Sequence, residues 1–466
     1  MNIGLIAMSG IRACNPELIG LGLTLPGFLE RGKAIASLPS LGLLTLAGLT
    51  QRDFPQHDVH YLEVADIRDL RELPGADGGF DLVAISSFSA QMNEAYELAA
   101  RYRAVGVPVV MGGLHVTSVP EEPGHVDAIA AMGEGEFTWP MILRDLERGT
   151  LKKVYDSRAS GALSGGRGSG GDGEYDLADA PMPAFELLDI ERYNRLTVQT
   201  SRGCPWKCSF CAASILLTPK YKQKPVAKVL AEIDMIKTLW RHPFIEFADD
   251  NAFVNRQYWR ELLPELRKRR VKWFAETDIS VAEDEELLAM MRDAGCAEVL
   301  IGFESPTRDG LTNLEMRKNW KARRWPQYKD AVQRIQAAGV RVNACFVVGL
   351  DGHDTGVFDS VYRFVEETAP FDVQITLPTP FPNTPFHRQL KRENRLTHDN
   401  DWRRCTLFDL NFTPARMSAA ELEAGFRELM VKLYNHDFTA WRKDRFAQQA
   451  PRVPWWDDEL HLSAVN

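Results

Sequence analysis

Three cysteines lie close together in the segment SRGCPWKCSFCAAS. Cys204, Cys208 and Cys211 follow the pattern CxxxCxxC, so one tight loop presents three thiols. A structural zinc site needs four ligands, and neither a second CxxC pair nor an HxxxH pair lies nearby in the sequence. Three protein ligands predict either a catalytic metal with an open position or an iron–sulfur cluster with one iron left for a small molecule. The alternative is three buried cysteines that bind no metal.

Acidic side chains stand at the ends of three predicted strands: Asp249, Asp250, Glu276, Asp278 and Glu304. A carboxylate accepts a charge-assisted hydrogen bond from an ammonium group, so these residues are candidates for holding a cationic part of a cofactor or substrate. For Asp278 and Asn251, capping of the helices that follow is an equally good interpretation.

Three further side chains are candidates, each with a structural alternative. Tyr221 follows the cysteine loop and is a candidate proton or hydrogen-atom donor, although a tyrosine with a packed ring and a solvated hydroxyl is the simpler interpretation. Phe346 is a candidate for packing on an adenine ring, but core packing on its predicted strand is the simpler interpretation. His115 follows a predicted strand and is a candidate for a cleft, whereas a single histidine is more often structural.

The composition is that of a folded, acidic protein. The chain has 466 residues, with 55 Lys and Arg against 64 Asp and Glu, a net charge of −9. An acidic chain without a long basic run argues against general nucleic-acid binding, which depends on neutralising phosphates. No apolar run reaches the length of about 18 residues that spans a membrane, and the start MNIGLIAMSG is not expected to be a signal peptide. Cysteines outside the cluster are scattered, which indicates a reducing, cytoplasmic compartment.

Buried strands and helices alternate in the predicted first domain, residues 1–150. The apolar runs lie at 2–10, 59–66, 81–89, 107–113 and 126–135. Near-continuous apolar runs separated by helices predict a parallel, doubly wound α/β sheet of the Rossmann-like kind. Ligands of such sheets bind at the carboxyl ends of the strands, which is where the segments 112–115 and 133–136 fall.

A second α/β rhythm follows a Gly/Ser-rich stretch. Residues 158–174 predict a flexible linker, which together with a docking segment occupies 151–190. Within 191–390, six strands are predicted, at 196–201, 244–249, 272–278, 298–305, 342–350 and 372–380. Helices between them, at 225–240, 256–269, 283–294, 322–338 and 355–368, predict a partial (β/α)6 barrel with its chemistry at the carboxyl ends of the strands. Residues 391–466 are predicted to form a helical extension, which is clearest over 418–435.

The cysteine loop resembles the cluster motif of the radical S-adenosylmethionine (SAM) superfamily, including the aromatic residue, Phe210, before the last cysteine. The predicted barrel also matches that superfamily in strand order and position. The resemblance covers residues 190–390 and implies a [4Fe–4S] cluster on the three cysteines, with SAM bound to the fourth iron. One electron would cleave SAM to methionine and a 5′-deoxyadenosyl radical, which takes a hydrogen atom from the substrate.

The same resemblance suggests roles for the candidate residues. Glu304, in the segment IGFES, fits the pattern of one subgroup and is expected at SAM, while Asp249 and Asp250 are expected at SAM or the substrate. The predicted cofactor-binding residues are Phe210, Asp249, Glu276, Glu304 and Phe346. The predicted catalytic residues are Tyr221, Asp249 and Asp250.

Three segments of the first domain look like the cobalamin-binding-type domain that precedes many radical SAM barrels: LPSLGL at 38–43, GGLH at 112–115 and GEGE at 133–136. The tract 401–426 also resembles that subgroup. Some cobalamin enzymes supply an axial histidine from a DxHxxG motif after the first strand, and residues 9–16 contain no histidine. Two possibilities stay open: cobalamin bound without that histidine, or a vestigial domain that serves as a scaffold.

A DxHxxG pattern does occur at 351–356, but it follows the fifth predicted strand of the barrel. Because His353 then lies in the other domain, we interpret this segment as a loop that shapes the SAM or substrate pocket.

The main functional prediction is abstraction of a hydrogen atom from a small polar metabolite. Acidic residues at the barrel mouth suit a cationic or polyhydroxylated substrate such as an aminosugar. The predicted outcome is redox-neutral loss of water. In this respect the chain resembles radical SAM dehydratases of antibiotic pathways, of the paromamine dehydratase kind. The alternatives are a cobalamin-dependent radical SAM methyltransferase and a non-catalytic iron–sulfur scaffold. The expected partners are a small-molecule substrate, a flavodoxin- or ferredoxin-type electron donor and a downstream reductase, without nucleic acid or a membrane.

Overall fold

The structure is a computed structural model that describes residues 1–9, 13–24, 38–75, 79–157, 175–217 and 220–451. Within these ranges the chain forms two compact units. The first holds the described residues up to 243 together with 377–413, and the second holds 244–376 and 414–451. The linker predicted at 158–174 lies outside the described residues.

The strands agree closely with the apolar runs of the sequence. They are β1 (Asn2–Met8), β2 (Asp58–Val64), β3 (Leu82–Ser86), β4 (Val109–Gly112), β5 (Ile129–Met132), β6 (Val154–Asp156), β7 (Leu196–Val198), β8 (Ser201–Arg202), β9 (Lys222–Gln223), β10 (Phe244–Phe247), β11 (Lys272–Thr277), β12 (Cys296–Glu304), β13 (Arg341–Val347) and β14 (Asp372–Thr376). The five strands predicted in the first domain are β1–β5, and the six predicted in the barrel are β7 and β10–β14. The apolar runs do not predict β6 or β9, which are three and two residues long.

The helices fill the intervals between the strands. They are α1 (Pro16–Thr24), α2 (Leu41–Asp53), α3 (Met92–Ala104), α4 (Leu114–Ser118), α5 (Gly135–Glu147), α6 (Val226–Leu239), α7 (Arg256–Arg269), α8 (Glu285–Asp293), α9 (Arg308–Leu311), α10 (Trp320–Arg324), α11 (Tyr328–Ala337), α12 (Val357–Thr368), α13 (Pro385–Arg392), α14 (Ala419–Tyr434) and α15 (His436–Gln449). Short 3-10 turns and a π-helical turn at Ala213–Leu217 complete the described secondary structure.

The first unit is built on a parallel sheet with the strand order β2-β1-β3-β4-β5-β6. Alternate residues of β1 point to opposite faces, because side chains along a strand alternate. Ile3 and Leu5 pack in the layer that includes residues of α2 and α5, whereas Ile6 and Met8 pack in the layer that includes residues of α3. Helices therefore cover both faces of the sheet, which is the doubly wound arrangement.

The predicted docking segment lies against α2 of the same unit. Ala184 N donates a hydrogen bond of 3.0 Å to Leu44 O. A Cβ atom placed on Gly48 would lie 1.8 Å from Met182 O, so only a residue without a side chain lets the segment approach this closely. Residues 175–193 are thus an integral part of the first unit.

A later segment, residues 377–413, also belongs to the first unit. Trp402 and Cys405 are buried in the core layer on the α3 side of the sheet. The N–H group of Phe386, at the start of α13, donates a hydrogen bond of 3.0 Å to Ser209 O in the cysteine loop. This segment therefore contacts both the sheet and the loop that carries the thiols.

In the second unit, strands β10 to β14 are parallel and pair in sequence order. Burial alternates along them: Trp273 and Ala275 of β11 are buried, whereas Phe274 is half-buried and Glu276 is exposed. The buried face carries aromatic clusters, in which the ring centroids of Trp273 and of Trp259 in α7 are 5.7 Å apart. The other face is more accessible and more polar, as expected for the inner face of an open barrel. The predicted α/β fold class is confirmed.

The predicted C-terminal helix is present as α14. Ser418 caps it with a reciprocal capping box, in which Glu421 N donates to Ser418 Oγ and Ser418 N donates to Glu421 Oε2. At the other end of α14, Tyr434 Oη donates to Val373 O over 3.1 Å. Among the described residues, no helix is both long and apolar enough to cross a membrane.

Candidate active site

The loop that carries the three cysteines is closed at its base by a hairpin. Strands β8 and β9 pair antiparallel, with Arg202 opposite Lys222. Gly203 has a φ angle of +83°, a left-handed conformation that glycine adopts without steric penalty. The chain can therefore turn sharply between β8 and Cys204.

Hydrogen bonds within the loop hold the thiols in place. Cys208 is buried, while Cys204 and Cys211 are half-buried. Ser214 Oγ donates to Cys211 Sγ over 3.2 Å, and Lys207 Nζ donates to Ser214 O over 2.6 Å. The turn that follows Cys211 is thereby drawn back onto the loop.

This donor set fits an iron–sulfur cluster. Cysteine thiolates are the usual ligands of [4Fe–4S] clusters, and hydrogen bonds to their sulfur atoms tune the cluster's reduction potential. In the described ranges, no three His, Cys, Asp or Glu side chains surround a single point as ligands of one metal ion would. Each cysteine of a cubane binds a different iron, so cluster ligands have no need to converge in that way.

The carboxyl ends of β1 and β3 form the point where the strand order of the first sheet reverses, which is where doubly wound sheets bind ligands. Gln91 is buried there, and its Nε2 donates to Ser9 O and Ala65 O over 3.0 and 3.3 Å. Gln91 Oε1 is buried without a hydrogen-bond partner. Phe88, 54% exposed, stands three residues away in the sequence. An unsatisfied acceptor and an exposed ring fit a macrocycle that carries amide groups, as cobalamin does.

His115 is not placed to ligate a metal. Its Nδ1 lies 3.0 Å from Ser89 Oγ and its Nε2 lies 3.2 Å from Glu122 Oε2, so both ring nitrogens are engaged. Although burial opposes ionisation of Glu122, hydrogen bonds from His115, Tyr96 and Trp402 lower the pKa of this carboxyl group. His115 therefore belongs to a buried polar network, in agreement with the structural interpretation.

The acidic residues at the carboxyl ends of β10 and β11 occupy different environments. Asp249 is buried, whereas Asp250 and Glu276 are exposed. Asp278 Oδ1 accepts a hydrogen bond of 2.8 Å from Ser280 N and so caps the turn Ile279–Glu283. Asp278 Oδ2 accepts from Asn251 Nδ2 over 2.8 Å. The capping interpretation of Asp278 therefore agrees with the structure, and Asn251 bridges neighbouring strand ends.

Glu304 is held at the carboxyl end of β12 by a buried lysine. Its Oε1 lies 2.9 Å from Nζ of Lys321, which also donates to Gly302 O. Glu304 has a φ angle of +62°, a conformation uncommon for residues other than glycine and typical of constrained functional positions. The Glu304 side chain is thus held in one orientation. Lys321 could not be found from the sequence, because no periodicity relates it to a strand end.

Three other predicted site residues lie in ordinary structural surroundings. Phe346 is fully buried and packs against Phe303 and Phe364 with ring centroids 5.8 and 5.4 Å away, which is the core packing that the simpler interpretation expects. Tyr221 is half-buried, and its hydroxyl donates to Gln223 Oε1 over 2.6 Å. Phe210 is half-buried in the cysteine loop.

The DxHxxG segment is a locked turn. His353 Nδ1 accepts hydrogen bonds from Gly349 N and Leu350 N, and His353 Nε2 lies 2.8 Å from Ser305 Oγ. Burial lowers the pKa of His353 to about 4. Both ring nitrogens are used within the second unit, which supports the interpretation of this segment as a loop and not as a cobalt ligand.

Three family models match parts of the chain. The radical SAM superfamily matches residues 198–365, the B12 binding domain matches 32–140, and a domain of unknown function matches 384–457. The predicted [4Fe–4S] cluster and SAM are the cofactors of the first of these families, and the second supports cobalamin.

Several proteins that are similar to this chain are named as methyltransferases. An uncharacterized methyltransferase of Synechocystis sp. is 30% identical over 388 residues, which cover 81% of this chain and 68% of the relative. Bacteriochlorophyllide d C-12(1)-methyltransferase of Chlorobaculum tepidum is 27% identical over 403 residues, covering 85% and 83%. The solved structure of the radical SAM methyltransferase TsrM from Kitasatospora setae, with cobalamin and a [4Fe–4S] cluster bound, has a TM-score of 0.64 at 16% identity. This likeness of fold covers 93% of this chain and 88% of that chain.

These comparisons overturn the main functional prediction. The predicted dehydration of a small polar metabolite is wrong, because the relatives are named as methyltransferases. The alternative stated beside it, a cobalamin-dependent methyltransferase, agrees with them. The cysteine loop and the barrel indicate the radical chemistry but leave the fate of the substrate radical open, so the sequence did not decide between dehydration and methylation.

Proposed function

Because this chain belongs to the radical SAM superfamily, in the group whose members carry a B12 binding domain, we propose that it is a cobalamin-dependent radical SAM methyltransferase. The observation that carries the proposal is the presence, within one compact unit, of a loop with three thiols and of a doubly wound sheet matched by the B12 binding family. The methyltransferase names of its relatives support the reaction type.

The cysteine loop would hold the cluster, through Cys204, Cys208 and Cys211. When bound, the cluster and SAM supply the electron and the abstraction of hydrogen, and cobalamin supplies the methyl group. Ser214 donates a hydrogen bond to Cys211 Sγ and so stabilises the thiolate form that binds iron. Lys207 fixes this serine by donating to its carbonyl oxygen.

The strand ends of the second unit would serve SAM and the substrate. Asp249, Asp250, Glu276 and Glu304 supply carboxylates that can accept hydrogen bonds from the ammonium group of SAM or from polar groups of the substrate. Glu304 is the most constrained of them, because Lys321 fixes its side chain and its backbone is left-handed. Tyr221 is retained as a candidate proton or hydrogen-atom donor, and Phe210 as a residue beside the cluster.

The first sheet would hold cobalamin without an axial histidine from the protein. His115 uses both ring nitrogens in hydrogen bonds, and no histidine occurs between residues 9 and 16. Gln91 and Phe88, at the switch point of the sheet, are the candidate contacts for the corrin amides and for the face of the ring.

The partners of this reaction are proposed by class. The methyl acceptor is a small molecule, and bacteriochlorophyllide methylation by a relative favours testing planar, largely apolar acceptors. A flavodoxin- or ferredoxin-type protein is the proposed electron donor.

The test combines cofactor binding with isotope transfer. The protein is purified without oxygen, reconstituted with iron, sulfide and hydroxocobalamin, and incubated with a reductant, SAM labelled with a CD3 methyl group and a small-molecule extract. We expect bound cobalamin in the visible spectrum, 5′-deoxyadenosine and a metabolite that gains the labelled methyl group. The Cys208→Ala variant is the control, and it should form neither product. A protein that cleaves SAM without binding cobalamin and without labelling any metabolite would overturn the proposal.

A further inference from the structure

The base of the cysteine loop carries two basic residues that face each other. Arg202 and Lys222 are paired across strands β8 and β9, so they close the loop formed by residues 203–221. Arg202 precedes Cys204 by two residues, which limits the separation of their Cα atoms to about 7 Å. A change in the position of Arg202 is therefore expected to move Cys204, the first thiol of the loop.

Two glutamates of the B12-type sheet domain grip these basic side chains. We call Glu134, Glu136, Arg202 and Lys222 the ion clasp. Lys222 Nζ lies 2.8 Å from both carboxylate oxygens of Glu134, and Arg202 Nη1 lies 3.4 Å from Glu134 Oε1. Arg202 Nη2 donates to Glu136 Oε1. All four belong to the first unit, and their side chains are 18% exposed or less.

The glutamates are themselves fixed by the sheet domain. They lie where β5 passes into α5, so their backbone is set by the parallel sheet. Glu134 N donates to Ser157 Oγ over 3.1 Å, and Tyr175 N donates to Glu134 Oε2 over 3.1 Å. The clasp therefore has a rigid half in the sheet domain and a half on the loop.

The charges of the clasp balance, with two carboxylates against two cations. Neutralising one glutamate therefore leaves the clasp with a net positive charge at the base of the loop. A nearby positive charge favours the reduced state of an iron–sulfur cluster, which carries one more electron than the oxidised state.

We propose that Glu134 and Glu136 are positioning residues of the radical reaction, which hold the cysteine loop through Arg202 and Lys222 and set the charge beside its cluster. This inference rests on the proposed function only in assuming that the loop binds a cluster. The segment GEGE thus serves the cluster loop, although it lies in the domain matched by the B12 binding family.

The experiment compares single neutralisation with paired removal. In Glu134→Gln and Glu136→Gln, the clasp gains a net positive charge, so the midpoint potential of the cluster, followed by EPR during a redox titration, should rise above that of the wild type. In Glu134→Gln/Lys222→Met, both charges of one pair are removed, so the potential should return toward the wild-type value. Positioning is lost in all three variants, and formation of 5′-deoxyadenosine should fall about tenfold to a hundredfold.

Two further variants control the comparison. Asp145→Asn removes a carboxylate of the same unit, 15% exposed and 3.6 Å from Lys152 Nζ at the far end of α5, and should leave the potential unchanged. Glu136→Asp keeps the charge and should recover part of the SAM cleavage. Should the single variants fail to fold, the paired variant and Glu136→Asp give the decision through cleavage and iron content.

The inference would be overturned if the clasp variants had the midpoint potential of the wild type and formed 5′-deoxyadenosine at a rate within twofold of the wild type. None of these measurements needs a methyl acceptor. A normal response of the clasp variants together with a failure to find any methylated product would therefore reject the proposed function and leave this inference standing.

Discussion

The imidazole of His353 shows how burial and hydrogen bonds assign a residue to structure. Its Nδ1 accepts two backbone N–H groups, so the proton must reside on Nε2, which lies beside Ser305 Oγ. A Cβ placed on Gly310 would lie 2.1 Å from His353 Nε2, so the glycine is needed for this contact. A neutral ring is the only form that satisfies all of these bonds.

This neutral ring predicts a pH dependence of stability. The pKa of His353 is about 4 in the folded protein because burial outweighs the opposing charge of Asp354, and Arg416 lowers it further. The unfolded chain titrates near 6.5, so between pH 6.5 and 4 it binds a proton that the folded chain does not. The free energy of unfolding is therefore expected to fall by about 3 kcal/mol as the pH decreases through that window.

Urea unfolding followed by tryptophan fluorescence at pH 7, 6 and 5 measures this effect. In His353→Gln the additional loss below pH 6.5 should disappear, although the variant is less stable at pH 7. His398→Gln, which removes an exposed histidine, is the control. An unchanged pH slope in His353→Gln would contradict the prediction.

Among the elements, helix α2 is defined by a cap and by a close approach. Ser40 Oγ accepts a hydrogen bond from Leu43 N and begins the helix. Gly48 lies in its middle, where glycine is unfavourable for a helix. The cost is offset because the glycine lets residues 175–193 lie on the helix, with Ala184 bonded to Leu44.

Substitution of Gly48 tests this packing. Gly48→Ala places a methyl group against Met182 O and should lower the free energy of unfolding by about 1–3 kcal/mol, despite the better helix propensity of alanine. Gly42→Ala, in the same helix with nothing within 4 Å of the new methyl group, is the matched control. It should be neutral or stabilising by up to about 1 kcal/mol. Equal stabilities of the two variants in chemical unfolding would refute the packing argument.

The sequence predicted elements better than it predicted contacts. Apolar periodicity located β1–β5 and the barrel strands, because burial leaves a repeating pattern in the chain. The short strands β6 and β9 have too few residues for such a pattern. Lys321 and the ion clasp were missed, because pairs such as Glu134 and Lys222 are far apart in the sequence and become neighbours only through the fold. The domain limits at 150, 190 and 390 stay predictions.

At the level of the whole molecule, the B12 binding and radical SAM matches occur in one chain with the segment 377–413 returning to the first unit. We therefore expect SAM cleavage to occur without cobalamin and methyl transfer to require it. In the proposed reaction, SAM cleavage would need the cysteine loop, whereas methyl transfer would need the sheet as well.

Withholding one cofactor tests this separation. Protein reconstituted with the cluster but without cobalamin should still form 5′-deoxyadenosine when reduced, and it should give no methylated product. Addition of hydroxocobalamin should restore methylation, measured by mass spectrometry of the acceptor. Methylation in the absence of cobalamin would contradict the prediction, and Cys204→Ala should abolish both products.

The way residues 175–193 lie against α2 decides where this protein can be recombined with a relative. The Gly/Ser-rich stretch 158–174 is an obvious place to join two proteins in a chimera. A junction there would pair Gly48 with residues 175–193 of the other protein. A junction placed after Tyr193 keeps residues 175–193 together with α2. Chimeras joined after Tyr193 should therefore express as folded protein, whereas those joined within 158–174 should not.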